Sequence, residues 1–197
     1  MRINKKKIVY LISPEIINKS FYKELIKIFE LGIVGLFQLR IKNEKIKKKI
    51  LIGNKIQKIC KKYKVKFIIN DDVTLSKKLD SDGCHLGQKD MAISEATKII
   101  KKKIIGVTCH NSIKLAKIAI EKKASYLAFG AFSISKTKKT KFKANINLIK
   151  RIKKITKTPI VAIGGINSDN YKNLLLNKAN FLAISGYIWN NKKLKPI

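Results

Sequence analysis

The amino-acid sequence predicts an α/β protein that forms a single (β/α)8 barrel over residues 1–197. Apolar runs alternate with segments of helical period along the chain, in about eight strand-then-helix units. The runs are continuous, as in residues 66–69 (Lys-Phe-Ile-Ile), which is typical of parallel strands buried on both faces. This alternation fits a closed barrel or an open doubly wound sheet. The nearly equal length of the units favours the barrel, and no linker or second domain interrupts them.

The first predicted strand is the run Ile-Val-Tyr-Leu-Ile, which follows a lysine-rich start. Strands two to six are further apolar runs separated by segments of helical period. The last two strands end at Gly-Gly (164–165) and Ser-Gly (185–186), and in such a barrel the loops after strands seven and eight usually hold a substrate phosphate. The predicted strands are residues 7–12, 34–40, 66–70, 83–86, 104–108, 126–130, 159–163 and 181–185. The predicted helices are residues 18–31, 44–63, 73–79, 93–101, 112–122, 145–156 and 169–177.

The chain carries a formal charge of +33, which on its own suggests nucleic-acid binding. Arginine is the preferred residue for bidentate contacts to phosphates and bases, yet the only arginines are Arg2, Arg40 and Arg151. The lysines are spread over nearly every predicted helix and do not form a patch with interleaved aromatic residues. We therefore interpret the charge as a compositional bias of solvent-facing positions that attracts anionic ligands. Nucleic-acid binding is the less favoured alternative.

The cysteines Cys60, Cys84 and Cys109 are odd in number and lack the spacing of a metal site. We expect free thiols in a reducing cytoplasm. The start of the chain leads directly into a strand-like segment, and no apolar run reaches the roughly 20 residues that span a bilayer. The sequence therefore predicts a cytoplasmic protein without a membrane segment, and it leaves open whether the chain forms a homo-oligomer.

Polar side chains gather at the predicted carboxyl ends of the strands, where barrels of this kind place their active sites. Gln38, Arg40 and Lys42 alternate at the end of strand two, so all three are expected to point inward at the mouth. An arginine fork, a lysine charge and a neutral amide donor together suit a pyrophosphate group. A solvated strand end is the simpler alternative, but Arg40 lies in an apolar strand and arginine is rare in this chain.

Carboxylates follow the next two strands, at Asp71 and Asp90, although acidic residues total only 12. Two carboxylates opposite a phosphate-binding basic set predict a Mg²⁺ site, because Mg²⁺ is commonly held by one or two carboxylates and substrate phosphates. Asp72 is interpreted instead as the N-cap of the helix that starts at Val73.

The two histidines lie near strand ends. His85 alternates with apolar residues and is interpreted as a structural histidine, with a general base as the alternative. His110 is expected to cap the following helix. Cys109 lacks a clear activating partner, so a thiolate nucleophile is not expected. The polar, cationic stretch 131–143 is a candidate mobile lid.

Five motifs occur in register along the chain: Gln38-Leu39-Arg40-Ile41-Lys42, Ile69-Asn70-Asp71, and residues 85–90, 136–138 and 163–166. Each is weak alone, but their order and spacing closely resemble the thiamine phosphate synthase family over essentially the whole chain. Residues 106–110 and 126–132 resemble its shorter bacterial branch. The resemblance implies a TIM barrel and a transferase. Such an enzyme joins hydroxymethylpyrimidine diphosphate to a thiazole phosphate, which gives thiamine phosphate and pyrophosphate.

The resemblance also implies the role of individual residues. Those expected to hold the pyrimidine diphosphate are Gln38, Leu39, Arg40, Ile41, Lys42, Asn70, Thr108 and Lys138. Those expected to hold the thiazole phosphate are Ser135, Lys136, Thr137, Gly165, Ile184 and Ser185. Arg40, Lys42 and Lys138 are the expected catalytic residues, and Asp71 and Asp90 the expected Mg²⁺ ligands.

The sequence departs from the family pattern at three places. Asp72 follows Asn-Asp where arginine is common, Ile134-Ser135 replaces Pro-Thr before Lys-Thr-Lys, and Ser125 stands where aspartate is usual. Ser135 keeps the hydroxyl, whereas Asp72 puts a negative charge beside the expected metal ligand.

The implied chemistry requires no protein nucleophile, because the pyrimidine cation left by pyrophosphate departure is stabilised by resonance. The protein must stabilise the leaving charge and hold the two rings together. The nearest alternative function is that of the related thiazole tautomerase, which uses no diphosphate. The complete Gln-x-Arg-x-Lys motif, both aspartates and Lys138 favour the synthase.

Overall fold

The computed structural model describes residues 7–133 and 141–191. Its strands are parallel and close into a barrel in sequence order, with β1 paired to β2 on one side and to β8 on the other. The predicted (β/α)8 TIM barrel is therefore confirmed. The strands are β1 (Val9–Ile12), β2 (Val34–Leu39), β3 (Lys66–Asn70), β4 (Gly83–Leu86), β5 (Ile104–His110), β6 (Tyr126–Phe129), β7 (Ile160–Ile163) and β8 (Phe181–Ile184). The helices are α1 (Phe21–Glu30), α2 (Ile46–Lys62), α3 (Val73–Lys78), α4 (Ile93–Ile100), α5 (Ile113–Glu121), α6 (Ile146–Ile155), α7 (Tyr171–Leu176) and α8 (Gly186–Trp189).

The predicted and observed carboxyl-terminal ends of the strands differ most in β5, which was predicted to end at residue 108. This strand continues to His110, which pairs with Phe129 after an irregularity in the register. Helix α8 was not predicted, because its four residues are too few to show helical periodicity. It is fastened to the first strand, since the Trp189 indole N–H donates to the carbonyl of Ile12. Within the described ranges, no helix is long and apolar enough to cross a membrane.

The core has an outer layer between the strands and helices and an inner layer inside the barrel. Leu11, Phe37 and Phe67 belong to the outer layer and pack against the helices. Alternate residues face inward, as the two-residue strand period requires. The inner layer consists mainly of Tyr10, Ile12, Leu36, Ile68, Tyr126, Ala128, Val161, Phe181 and Ala183. This packed interior closes the amino-terminal part of the barrel and leaves the carboxyl ends of the strands for a site.

Several helices end in a residue with left-handed backbone conformation at the amino-terminal face of the barrel. Gly32 is the glycine example, with φ +71°. Lys64, Asp80, Lys123 and Lys178 occupy corresponding positions with φ between 48° and 70°. In each of these four turns the following amide donates back to a helical carbonyl, as Ala124 does to Ala119 at 2.9 Å. This is the Schellman ending, which glycine normally completes.

Candidate active site

A lysine and two aspartates meet at the carboxyl ends of β2, β3 and β4. The Lys42 Nζ atom lies 3.3 Å from Asp71 Oδ2. Asp71 has φ +63°, and its amide donates to the carbonyl of His85 at 2.8 Å. A non-glycine residue held in this conformation by its neighbours is a common feature of functional sites. The structure thus brings together two of the residues predicted for this site.

Asp90 completes this group from the loop after β4. Its Oδ2 atom accepts a hydrogen bond from the amide of Gly87 at 2.6 Å. Burial raises the pKa of Asp90, the Gly87 amide opposes that shift, and the nearby Asp71 carboxylate adds to it. The Lys42 ammonium acts in the opposite direction. Two carboxylates held this close repel each other, and a cation between them would relieve the repulsion.

The geometry of the pair is suitable for a hard divalent cation. Among the described residues, no group of three or more histidine, cysteine, aspartate or glutamate side chains could hold a metal ion. Two carboxylates alone are still a common Mg²⁺ arrangement, because this ion keeps several waters and takes further oxygens from a substrate phosphate. The oxygen-only chemistry of Asp71 and Asp90 therefore fits the predicted Mg²⁺.

Asp72, the next residue along the chain from Asp71, caps a helix. Its Oδ1 atom accepts the amide of Leu75 at 2.8 Å, at the start of α3. The predicted capping role is confirmed. The negative charge at residue 72 is thereby placed on a helix amino terminus, which it stabilises.

A small cavity of about 160 Å³ opens beside Asp71. Leu39 and Ile41 form part of its apolar wall, because they alternate with Gln38 and Arg40 and face the helices. Any contact that these two make with a ligand inside the barrel would come from their backbone. The cavity is lined by Leu39, Ile41, Lys42, Lys49, Ile69, Asn70, Asp71, Asp72 and Leu75.

Arg40 is paired with a residue that the sequence analysis did not single out. Its Nη1 atom lies 3.2 Å from Glu15 Oε1, and its amide donates to the Ser13 hydroxyl at 2.9 Å. Glu15 lies in the loop after β1 and is largely exposed. The guanidinium is thereby held near the mouth, and an anionic ligand would have to compete with a single exposed carboxylate.

Gln38 lies deeper than predicted and belongs to a row of hydrogen bonds inside the barrel. We call this row the interior hydrogen-bond chain: Gln38, Tyr10, Tyr126, His85 and Thr108. The Gln38 Nε2 atom donates to the Tyr10 hydroxyl at 2.8 Å, which lies 2.7 Å from the Tyr126 hydroxyl. Tyr126 lies 2.9 Å from His85 Nδ1, and His85 Nε2 lies 2.8 Å from Thr108 Oγ1. The two tyrosines were missed, although a tyrosine in an aliphatic strand run is a signal that could have found them.

The interpretations of His85 as a structural histidine and of Cys109 as an unreactive thiol are confirmed. His85 is 7% exposed, and its ring stacks on Tyr126 with an interplanar angle of 12°. Burial raises the pKa of Cys109 to about 12, so its thiol is inert. The expected capping role of His110 is wrong. Ser112 caps α5 through the amide of Leu115, because a hydroxyl two residues further along reaches the free amides.

The loop after β7, where the sequence predicts a phosphate site, contains two glycines in left-handed backbone conformation. Gly164 and Gly165 have φ +93° and +69°. A Cβ atom on Gly165 would lie 2.6 Å from the carbonyl oxygen of Ser133, so glycine is needed for the close approach of these loops. Ser185 donates its hydroxyl to the carbonyl of Ser13 at 3.3 Å, beside the half-buried Ile184. The predicted residues Ser135, Lys136, Thr137 and Lys138, with most of the candidate lid, lie outside the described residues.

Fold and site together define a TIM-barrel protein with cations, paired carboxylates and a glycine loop at the carboxyl ends of its strands. A sequence model of the family described as thiamine monophosphate synthase matches residues 9–188. The chain therefore belongs to the thiamine monophosphate synthase family.

Individual relatives agree with this membership. The chain is 62% identical to a thiamine-phosphate synthase of Pelagibacter ubique (strain HTCC1062), over 100% of this chain and 97% of the relative. It is 39% identical to a thiamine-phosphate synthase of Erythrobacter litoralis (strain HTCC2594), over 92% and 87%. A thiamine phosphate pyrophosphorylase structure from Pyrococcus furiosus superposes with a TM-score of 0.84 at 27% identity, over 95% and 90%. The family predicted from the motifs is thus confirmed, and with it a transferase of thiamine biosynthesis that acts on small molecules.

A more distant structure shows the fold alone. The N-acetylmannosamine-6-phosphate 2-epimerase of Clostridium perfringens superposes with a TM-score of 0.66 at 13% identity. The same barrel therefore serves a different chemistry, as expected of a fold whose function lies in its loops.

Proposed function

We propose that this chain joins 4-amino-2-methyl-5-hydroxymethylpyrimidine diphosphate to a thiazole phosphate, with thiamine phosphate and pyrophosphate as products. The observation that supports this most is the contact of Lys42, Asp71 and Asp90 at the mouth of the barrel. Cation and carboxylates together match a diphosphate that arrives with a divalent ion. The cysteine thiols are free and buried, which supports a reducing cytoplasm as the location.

In the proposed reaction the bond between the pyrimidine methylene carbon and the diphosphate oxygen breaks first. The electron pair leaves with pyrophosphate, and the aminopyrimidine ring stabilises the remaining cation by resonance. The thiazole nitrogen then attacks the methylene carbon. Arg40 and Lys42 stabilise the charge that develops on the leaving group, and Lys138 is proposed to do the same from the loop after β6. No protein nucleophile is needed.

The other residues hold the substrates in position. Gln38, Asn70 and Thr108 are proposed to bind the pyrimidine diphosphate, and Leu39 and Ile41 to contribute backbone and the apolar wall. The thiazole phosphate is proposed to bind at Gly165, Ile184 and Ser185, together with Ser135, Lys136 and Thr137. Orienting two rings in one site supplies much of the rate enhancement of a bimolecular reaction.

Asp71 and Asp90 are proposed to hold Mg²⁺. When bound, the ion would neutralise charge on the departing pyrophosphate. Burial raises the pKa of Asp90, and the neighbouring Asp71 carboxylate adds to the rise, which supports a cation between the two carboxylates.

The decisive experiment mixes both purified substrates with Mg²⁺ and the protein, and looks for thiamine phosphate by mass spectrometry. We expect product only when the diphosphate substrate, the thiazole phosphate and Mg²⁺ are all present. Conversion of a thiazole tautomer without any diphosphate would instead identify the tautomerase. Absence of thiamine phosphate from the complete mixture would contradict the proposal.

A pair of lysine variants tests the site itself. Lys42→Ala should lower the rate roughly a hundredfold, because it removes one charge from the leaving group. Lys66→Ala is the matched control, since Lys66 also forms an ion pair with an aspartate, Asp82, but at the amino-terminal end of β3. Equal activity of the two variants would remove Lys42 from the site.

A further inference from the structure

The interior hydrogen-bond chain crosses the barrel from β2 to β5 through side chains of β1, β6 and β4. Gln38, Tyr10, Tyr126 and His85 are all buried, and Thr108 is half-buried at its end. Each hydroxyl in the chain has a single hydrogen to donate. The direction of one hydrogen bond therefore determines the direction of the others.

The Gln38 amide sets this direction at one end. Its Nε2 atom donates to the Tyr10 hydroxyl, so Tyr10 donates to Tyr126. Tyr126 then donates to His85 Nδ1, which places the ring hydrogen of a neutral His85 on Nε2. His85 Nε2 donates to Thr108 Oγ1, and the Thr108 hydroxyl keeps its own hydrogen for another acceptor. In the opposite direction, with Gln38 still donating, the buried Tyr10 hydroxyl would have a hydrogen without an acceptor in the chain, which is unfavourable.

The two ends of the chain are open to a ligand. Among the described residues, every fully buried side-chain oxygen or nitrogen has a hydrogen-bond partner, so a polar atom without one must be accessible to a ligand or to water. The Gln38 hydrogen bond to Tyr10 uses one Nε2 hydrogen and so fixes the orientation of the amide, which leaves the Oε1 atom as an acceptor beside the second Nε2 hydrogen. At the other end Thr108 remains as a donor. The chain thus presents an acceptor at β2 and a donor at β5.

We infer that Tyr10 and Tyr126 are positioning residues that, through His85, fix Gln38 as a hydrogen-bond acceptor and Thr108 as a donor for the bound substrate. An acceptor at Gln38 selects a ring that carries an amino group over one that carries an oxo group. A donor at Thr108 suits an anionic oxygen of the diphosphate. This inference rests on the proposed function, since it names the part of the pyrimidine substrate that the chain recognises.

Nuclear magnetic resonance tests the direction of the chain without any substrate. The sequence has two histidines, His85 and His110. His110→Asn leaves one, and asparagine tolerates the φ of +52° at residue 110. With ¹⁵N-labelled histidine, we expect His85 to show the Nε2–H tautomer, with a hydrogen-bonded Nδ1. An Nδ1–H tautomer would overturn the inference, because the chain would then run the other way.

Tyrosine variants in the same background test the link between the residues. Tyr126→Phe should move the His85 Nδ1 signal toward that of a lone pair without a hydrogen bond. Tyr22→Phe is the control, since Tyr22 lies on α1 outside the barrel and should leave the signal unchanged. An unchanged Nδ1 signal in Tyr126→Phe, with the fold intact by circular dichroism, would overturn the link.

Kinetics tests the effect on specificity. In Tyr10→Phe the Gln38 amide can rotate, so the preference for the aminopyrimidine diphosphate over its oxo analogue, bound as substrate or inhibitor, should fall about tenfold. The KM for the thiazole phosphate should stay the same. An unchanged preference in Tyr10→Phe would overturn the specificity role. If the unmodified active site makes no thiamine phosphate but His85 shows the Nε2–H tautomer, only the proposed function would be contradicted. If Tyr10→Phe fails to fold, Tyr126→Phe provides the same comparison.

Discussion

The absence of a side chain at Gly106 makes room for the ring of Tyr126. A Cβ atom on Gly106 would lie 1.8 Å from Tyr126 Cζ and 2.3 Å from its hydroxyl oxygen. The glycine on β5 and the tyrosine on the neighbouring β6 are therefore matched, and the position of the tyrosine hydroxyl depends on both.

Gly106→Ala should destabilise the protein by about 1–3 kcal/mol, because the extra methyl group overpacks a buried ring. The Tyr126 ring must shift, so the loss of activity should exceed what the lower stability explains. Urea unfolding measures the first effect, and initial rates well below the melting temperature measure the second. Wild-type stability of the Gly106→Ala variant would show that the interior can adjust without cost.

The metal prediction is tested with Asp71→Asn and Asp90→Asn. Asparagine keeps the shape and, at residue 71, tolerates positive φ, so the fold should persist. Each variant should need far more Mg²⁺ for half-maximal activity, because one negative ligand has been lost. Titration of activity with Mg²⁺ is the measurement. Wild-type activity of both variants at low Mg²⁺ would refute the assignment.

The raised pKa of Asp90 predicts a pH dependence. The folded state binds a proton at Asp90 more tightly than the unfolded chain does, so this group's stabilisation is fully present below pH 3.8. It is lost as the pH rises through the higher folded pKa. Without Mg²⁺, Asp90→Asn should therefore gain stability relative to the wild type between acidic and neutral pH. Urea unfolding of both proteins across this range gives the comparison. Mg²⁺ should reverse the order at neutral pH.

Asp72 offers a separate test, because it caps α3. Asp72→Asn should cost little stability, since asparagine caps about as well as aspartate, whereas Asp72→Ala should cost about 1 kcal/mol. Activity and its Mg²⁺ dependence should be unchanged in Asp72→Asn. Thermal unfolding and the same Mg²⁺ titration provide the data. A large change in Mg²⁺ requirement would move residue 72 into the metal site.

Lys123→Gly should stabilise the protein. A non-glycine residue with φ +59° carries strain of about 1–2 kcal/mol, and the greater freedom of glycine in the unfolded chain offsets part of it. A net gain of about 0.5–1 kcal/mol corresponds to a rise in Tm of about 2 °C. Gly32→Lys is the reciprocal change and should lower Tm, which scanning calorimetry can verify. A lower Tm for Lys123→Gly would show that the lysine side chain contributes more than its backbone strain costs.

The barrel and its elements could be predicted because the strands are continuous apolar runs and the helices are amphipathic. The cap at Asp72 could be predicted because a capping residue has a local signature. The closeness of Asp71 and Asp90 could be predicted because acidic residues are few in this chain and both follow neighbouring strands. The α8 helix could not be predicted, since its four residues, Gly186–Trp189, are too few to show helical periodicity.

Contacts between residues far apart in the chain could not be predicted from the sequence. Tyr10 and Tyr126 are 116 positions apart, and nothing local to either marks the other. The Glu15–Arg40 pair joins a loop to a strand end and depends on the closure of the barrel. The depth of Gln38 likewise depends on which residues fill the interior around it, which periodicity alone does not specify.

The left-handed helix ends at the amino-terminal face have a consequence for how this sequence can drift. They lie at the opposite end of the strands from Asp71 and Asp90. A substitution to or from glycine there is therefore expected to change the stability of the protein and not its catalytic activity. Each lysine at such a position lowers the free energy of unfolding by only a small amount, so several can be present in one folded protein. Glycine substitutions at the same positions could therefore raise the Tm of the protein without changing any residue of the candidate active site.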